Sequence, residues 1–240
     1  MTSTPRALVL LAAVILLASR VDAYTVRYTP AATKVLTAEQ RAAIDTIAAT
    51  AETDARRAMS ELPRGIVVVV EVGRNVLEQT GERGAAISPT VIRWTVNPDR
   101  PEGVMAVANT YFRATLFHES HHVVRGWVSS GAEPPGSFME AVVAEGLATA
   151  FARDAGNARA PWADYAPEVA AWVRELLALP EEQAWSQYSD WMVRHPDGRE
   201  WIGHRAGTYI ADLAIKASGR TAADLALMPT ADVLRLAGYF

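Results

Sequence analysis

The chain has 240 residues, 50% of them apolar, with 23 Lys and Arg against 27 Asp and Glu and a formal net charge of −4 at pH 7. That length and apolar share suit one domain of ordinary size with a substantial core, and the slightly acidic balance with scattered arginines argues against nucleic acid as the main partner. Cysteine is absent, so disulfides and thiol chemistry are excluded and any zinc ligands must come from His, Asp or Glu.

Met1 to Ala23 differs from the rest of the chain. Arg6 gives a short positive start, Ala7 to Ala18 is an unbroken apolar run, and Val21-Asp22-Ala23 has the small-x-Ala form of a cleavage site, which together read as a signal peptide. The run of about a dozen residues is short for a bilayer, which needs roughly twenty. The mature domain is therefore expected to begin near Tyr24 and to be exported to a periplasm or the medium, or held at the membrane if the signal is retained. With no cysteine near that site a lipid anchor is not expected, and no later stretch is apolar for long enough to span a membrane.

Tyr24 to Thr33 alternates enough to be a short strand or an extended arm. Thr37 with Gln40 has the form of a capping box, and Ile44, Ile47, Ala48, Ala51, Ala55, Ala58 and Met59 continue at helical spacing until Pro63, predicting a first long helix. A Val-rich run, Ile66 to Val72, and a second run, Val91 to Val96, are bounded by Gly or Pro and predict strands; Gly81 to Ala85 between them reads as a loop. Such a small sheet could lie over the next helix and bind an extended peptide at its edge, or simply fill the core.

That helix carries His118-Glu119-Ser120-His121-His122, an H-E-x-x-H. No Pro or Gly interrupts Val104 to Val124, Pro101 and Glu102 suit a helix start and Gly126 its end. Residues four apart share a helix face, so His118 and His122 can offer two imidazoles to one metal ion with Glu119 beside them. His121 lies about 100° from His122 and reads as a packing histidine or one that supports a ligand.

A polar loop with a Pro pair, Ser129 to Gly136, leads to Ser137-Phe138-Met139-Glu140, which opens another helix through Arg153. Glu140 and Glu145 compete there as a third ligand. Glu140 can reach back to the Ser137 N–H as half of a capping box. Glu145, about 140° further round the helix, has no such task and sits in a small, apolar setting where an unpaired carboxylate would be costly to bury, a cost that a metal removes. Gly146 beside it would let this helix approach the His118 to His122 helix closely, at a propensity cost of about 1 kcal/mol.

Further on, a helix is expected from Pro167 to Leu179 and another over Glu182 to Val193, ending before the turn His195-Pro196-Asp197-Gly198. Trp162, Trp172, Trp185, Trp191 and Trp201 read as core aromatics or as a cleft lining. Trp201 to Ala217 is a helix with Gly203 and Gly207 on one face, and two short helices, Thr221 to Leu227 and Thr230 to Ala237, close the chain. With no internal repeat or low-complexity linker, residues 24–240 read as one α+β domain, mostly helical, with a small sheet near its start.

His118 to His122 followed by Glu145-Gly146-Leu147-Ala148 resembles a gluzincin metallopeptidase. The H-E-x-H-H form, the E-G-L-A, Pro161-Trp162 and Trp201-Ile202-Gly203-His204-Arg205-x-Gly207 together resemble a bacterial family of predicted zinc-dependent proteases, over about Val91 to Ala217. The resemblance implies a zincin-like fold, one Zn2+ per chain held by His118, His122 and Glu145, and Glu119 as general base. Three protein ligands leave a position for water whose pKa zinc lowers to about 7, and Glu119 can take that water's proton and pass it to the leaving amine. In many gluzincins a His or Tyr from a later segment stabilises the oxyanion, which points to His204 or Tyr209 here, with Arg205 a lesser candidate; the family pattern more often has Tyr where His204 stands. The expected partner is a peptide or protein substrate. A peptide-binding or scaffold protein on a zinc-containing fold, and a zinc amidase acting on cell-wall material, are the alternatives, and a His/His/Glu set can accept other divalent ions.

Overall fold

A computed structural model describes residues 24–129 and 136–240. The expected signal peptide over Met1 to Ala23, and all but the ends of the loop over Ser129 to Gly136, lie outside them. The stretch from Tyr24 to Thr33 divides into strand β1 (Thr25–Tyr28) and helix α1 (Pro30–Val35), because the Thr29 hydroxyl caps the Ala32 N–H and Pro30 is preorganised for a first turn. Helix α2 (Ala38–Ala58) begins at the Thr37/Gln40 capping box and buries Ile44, Ala48, Ala51 and Ala55.

The sheet has four strands in the order β1-β2-β4-β3, where β2 is Val67–Val72, β3 is Glu82–Ser88 and β4 is Val91–Val96. β1, β2 and β4 run parallel, and β3 pairs antiparallel with β4 as an edge strand. The loop expected over Gly81 to Ala85 is therefore corrected to a strand over most of its length. Its residues have poor strand propensity, but pairing with β4, whose residues are mostly β-branched or aromatic, overrides that. Its lack of side-chain bulk also has a use, since a Cβ on Gly84 would lie 2.3 Å from Thr115 Cγ2 and 2.7 Å from Glu119 Oε1.

The expected motif helix is one helical path with a change of winding: α3 (Val104–Val107), a π-helical turn over Ala108–Phe112, then α4 (Arg113–Arg125), closed by Gly126 at φ 78°. Helix α5 (Phe138–Asp154) packs between α4 and α9 (Ile202–Ser218). Around them lie α6 (Val169–Ala178), α7 (Glu181–Ser186), α8 (Tyr188–Met192) and α10 (Thr230–Leu236). The single helix expected over Glu182 to Val193 is broken at Gln187, whose φ of −110° leaves the helical region. Thr221 to Leu227 forms successive turns instead of a helix, although the Thr221/Asp224 capping bonds are made. This segment and Met228 after it steady α4, since the Ala222 carbonyl faces His121 and the carbonyls of Ala226 and Met228 accept from Arg125.

Gly146 does not bring α5 to α4. A Cβ there would lie 1.9 Å from the backbone carbon of Gly207, and one on Gly207 would lie 2.0 Å from the Val142 carbonyl oxygen. The reason is angular: Glu145 faces α4, so Gly146, about 100° on, faces α9. Gly207→Ala should gain about 1 kcal/mol of helix propensity yet lose about 2–3 kcal/mol net by forcing two backbones apart. Urea unfolding of the variant measures the sign, and net stabilisation would refute the contact.

Candidate metal centre

Helix α4 carries His118 and His122 on one face, and α5 brings Glu145 opposite. His118 Nε2 lies 2.9 Å from His122 Nε2 and 2.9 Å from Glu145 Oε2, and His122 Nε2 lies 3.4 Å from the same oxygen. These three residues form the only set of three or more potential ligands, among the described residues, whose donor atoms all lie within 4.8 Å of one another. An ion bound at about 2.0–2.2 Å needs donors no more than about 4 Å apart. Two imidazole nitrogens facing each other and sharing one carboxylate oxygen have too few protons to fill the space between them, and a divalent cation suits that donor set. Glu140 is engaged elsewhere, as its carboxylate accepts the Ser137 N–H at 2.6 Å in a complete capping box.

The electrostatics agree. Burial by itself would favour the neutral acid of Glu145, yet His122, His204 and the bond to His118 hold its pKa well below the ordinary carboxylate value. Burial likewise opposes charge on His118, but Glu145, Glu119 and Glu82 prevail and raise its proton affinity above the ordinary 6.5.

Glu119 is buried beside this set and accepts the Ala86 N–H of β3 at 2.7 Å. His121 points away: it is fully buried, meets the Ala222 carbonyl at 3.2 Å and Phe151 at 5.7 Å between ring centroids, and burial drives its pKa well down, so it packs as a neutral ring. His204 on α9 directs Nε2 to Glu145 Oε2 at 3.2 Å, with its Nδ1 3.1 Å from the Met192 carbonyl oxygen. It adjoins the convergent set of three without joining it. Tyr209 and Arg205 do not line the cleft, and the Tyr209 ring packs on Tyr165 at 5.2 Å.

The candidate metal set lies in a cleft of about 710 Å³ between β3, α4, α5, α8 and the start of α9. Trp162, Trp185 and Trp201 line it, whereas Trp172 and Trp191 are buried in the core. Trp201 adopts φ 60°, a left-handed conformation that costs a bulky residue of order 1–3 kcal/mol. It also brings its ring onto Trp162 at 4.6 Å and edge-on to His204 at 5.3 Å. Two cleft residues are not apparent from the sequence. Tyr188 on α8 faces Glu145, and burial together with that carboxylate raises its phenol pKa. Glu82 on β3 accepts the Trp94 indole N–H and the Thr115 hydroxyl, both at 2.8 Å, and burial, with a smaller contribution from Glu119, raises its pKa despite those bonds. The two-residue connection Pro89-Thr90 before the Val91 run is the signal that could have revealed the β3–β4 hairpin and hence Glu82.

Fold and donor set thus define an α+β protein with a His/His/Glu candidate metal site at the floor of an aromatic cleft. The model of a family described as "Predicted Zn-dependent protease (DUF2268)" matches residues 44–235, and the chain belongs to that family. No curated protein and no solved structure matches the chain.

Proposed function

We propose that the protein is an exported, gluzincin-type zinc peptidase in which His118, His122 and Glu145 hold one zinc ion and Glu119 is the general base. The observation that carries the reading is the convergence of those three donors with a buried carboxylate one residue from the first histidine; the family's description supports both metal and reaction. Zinc bound there supplies a Lewis acid and an acidified water. Glu119, oriented by the Ala86 N–H, takes the proton as water attacks the peptide carbonyl and delivers it to the leaving amine. His204 and Tyr188, on the opposite wall, are the groups that would meet the developing oxyanion. Ala86 commits its N–H to Glu119 and its carbonyl to the Ser129 N–H, and the Glu82 carbonyl accepts from the Leu77 N–H and the Thr80 hydroxyl, so the docking edge for an extended peptide is the stretch of β3 between them, around Gly84.

Purified protein should contain one zinc per chain and cut a peptide library, lose activity to a chelator and regain it with zinc. Full zinc occupancy with no cleavage of peptides, or cleavage of cell-wall fragments alone, would overturn the peptidase reading. Protons compete with the ion for His118. Because burial is outweighed by Glu145, Glu119 and Glu82 and its proton affinity is raised, the zinc dissociation constant should rise as the pH falls from about 8 to about 5, and a dissociation constant unchanged over that range would contradict the competition.

A further inference from the structure

We propose that the Ala23–Tyr24 peptide bond is a processing site and that the α-ammonium it releases on Tyr24 becomes a buried counter-ion of Glu52. The Tyr24 backbone nitrogen donates to Glu52 Oε2, on the inner face of α2, and Glu52 is only 3% exposed. The other carboxylate oxygen takes the Arg56 Nε at 2.7 Å, while the remaining Arg56 nitrogens reach the Leu62 and Pro63 carbonyls at 2.8 Å. Glu52 therefore has one oxygen left for a second cation, and the atom it already holds is the one that hydrolysis after Val21-Asp22-Ala23 would convert to an amine.

The chemistry is a simple hydrolysis by a leader-removing peptidase. Water adds across the bond, the carboxylate leaves with Ala23, and the Tyr24 amine takes up a proton. The neutral N–H bond to a buried carboxylate becomes a charge-assisted one, roughly twice as strong. The position is fixed on both sides. The Thr25 N–H donates to the Ile66 carbonyl at 3.0 Å, and the buried Tyr24 hydroxyl lies 2.6 Å from the Ser120 hydroxyl. Ser120 stands between His118 and His122, so the new chain end braces the helix that carries the metal ligands. This inference holds whether or not the protein cuts peptides.

The test uses the chain expressed at full length in an exporting host. Intact mass and N-terminal sequencing should give Tyr24 as the first residue. In the native protein its α-amine should react with an acylating reagent at least about tenfold more slowly than after unfolding in urea, as expected of a buried, charge-paired amine. Glu52→Gln should remove that protection and lower Tm by on the order of 5–10 °C. If that variant does not fold, inserting one Ala between Ala23 and Tyr24 keeps Glu52 and Arg56 but displaces the amine, and should lower Tm likewise. A first residue other than Tyr24, acylation of the native amine at the unfolded rate, or an unchanged Tm on Ala insertion would each overturn the proposal.

Discussion

Glu119→Gln is expected to keep its zinc and lose about 10²–10⁴-fold in kcat/KM for peptide hydrolysis, the range that a positioned general base supplies. The substitution is nearly isosteric, and its side-chain oxygen can still accept the Ala86 N–H that orients Glu119, so stability should change little. What it removes is the ability to take a proton. It also removes a negative charge that helps raise the proton affinity of His118, so the pH at which zinc is lost should move down relative to the unaltered protein. Metal analysis and steady-state kinetics on the same preparation decide the matter, and full zinc with undiminished hydrolysis would sink the mechanism.

Local signals in the sequence led to local structure. The Thr37 and Ser137 capping boxes form as the spacing implies, and the four-residue separation of His118 and His122 brings their rings together because helix geometry leaves no alternative. That Glu140 serves the Ser137 cap was legible from its spacing, and Glu145 is the glutamate that joins the candidate set. Directions across the core were not legible. Helical periodicity separates Glu145 from Gly146 by about 100°, but which neighbour each faces depends on where α9 falls, and that is set by packing far along the chain. β3 was missed because Glu82 to Ala86 has no strand propensity of its own and gains its form from β4. The same non-local cause separates the two tyrosines. Tyr209 lies on the expected helix yet faces Tyr165, whereas Tyr188, just after the break at Gln187, lines the cleft.

Glu145→Gln set against Glu140→Gln tests the choice of third ligand. Glu140→Gln should leave zinc binding intact and cost no more than about 0.5 kcal/mol, since Gln also serves at the third position of a capping box. Glu145→Gln replaces with a neutral amide the carboxylate whose Oε2 all three Nε2 atoms of His118, His122 and His204 approach within 3.4 Å. Loss of a group that merely supports a ligand lowers metal affinity about 10–100-fold, so loss of a ligand should exceed 100-fold. Thermal unfolding gives a reading independent of activity. A ligand that binds only the folded state raises stability by RT ln(1 + [L]/Kd), so micromolar zinc should raise the Tm of the unaltered protein and of Glu140→Gln but not that of Glu145→Gln. In the variant the neutral amide no longer holds a proton on His118, whose affinity for protons rests first on the Glu145 bond against burial. The two imidazoles then face one another without the anion that made the site attractive to a cation. A zinc-dependent rise in Tm that survives Glu145→Gln and disappears in Glu140→Gln would reverse the assignment.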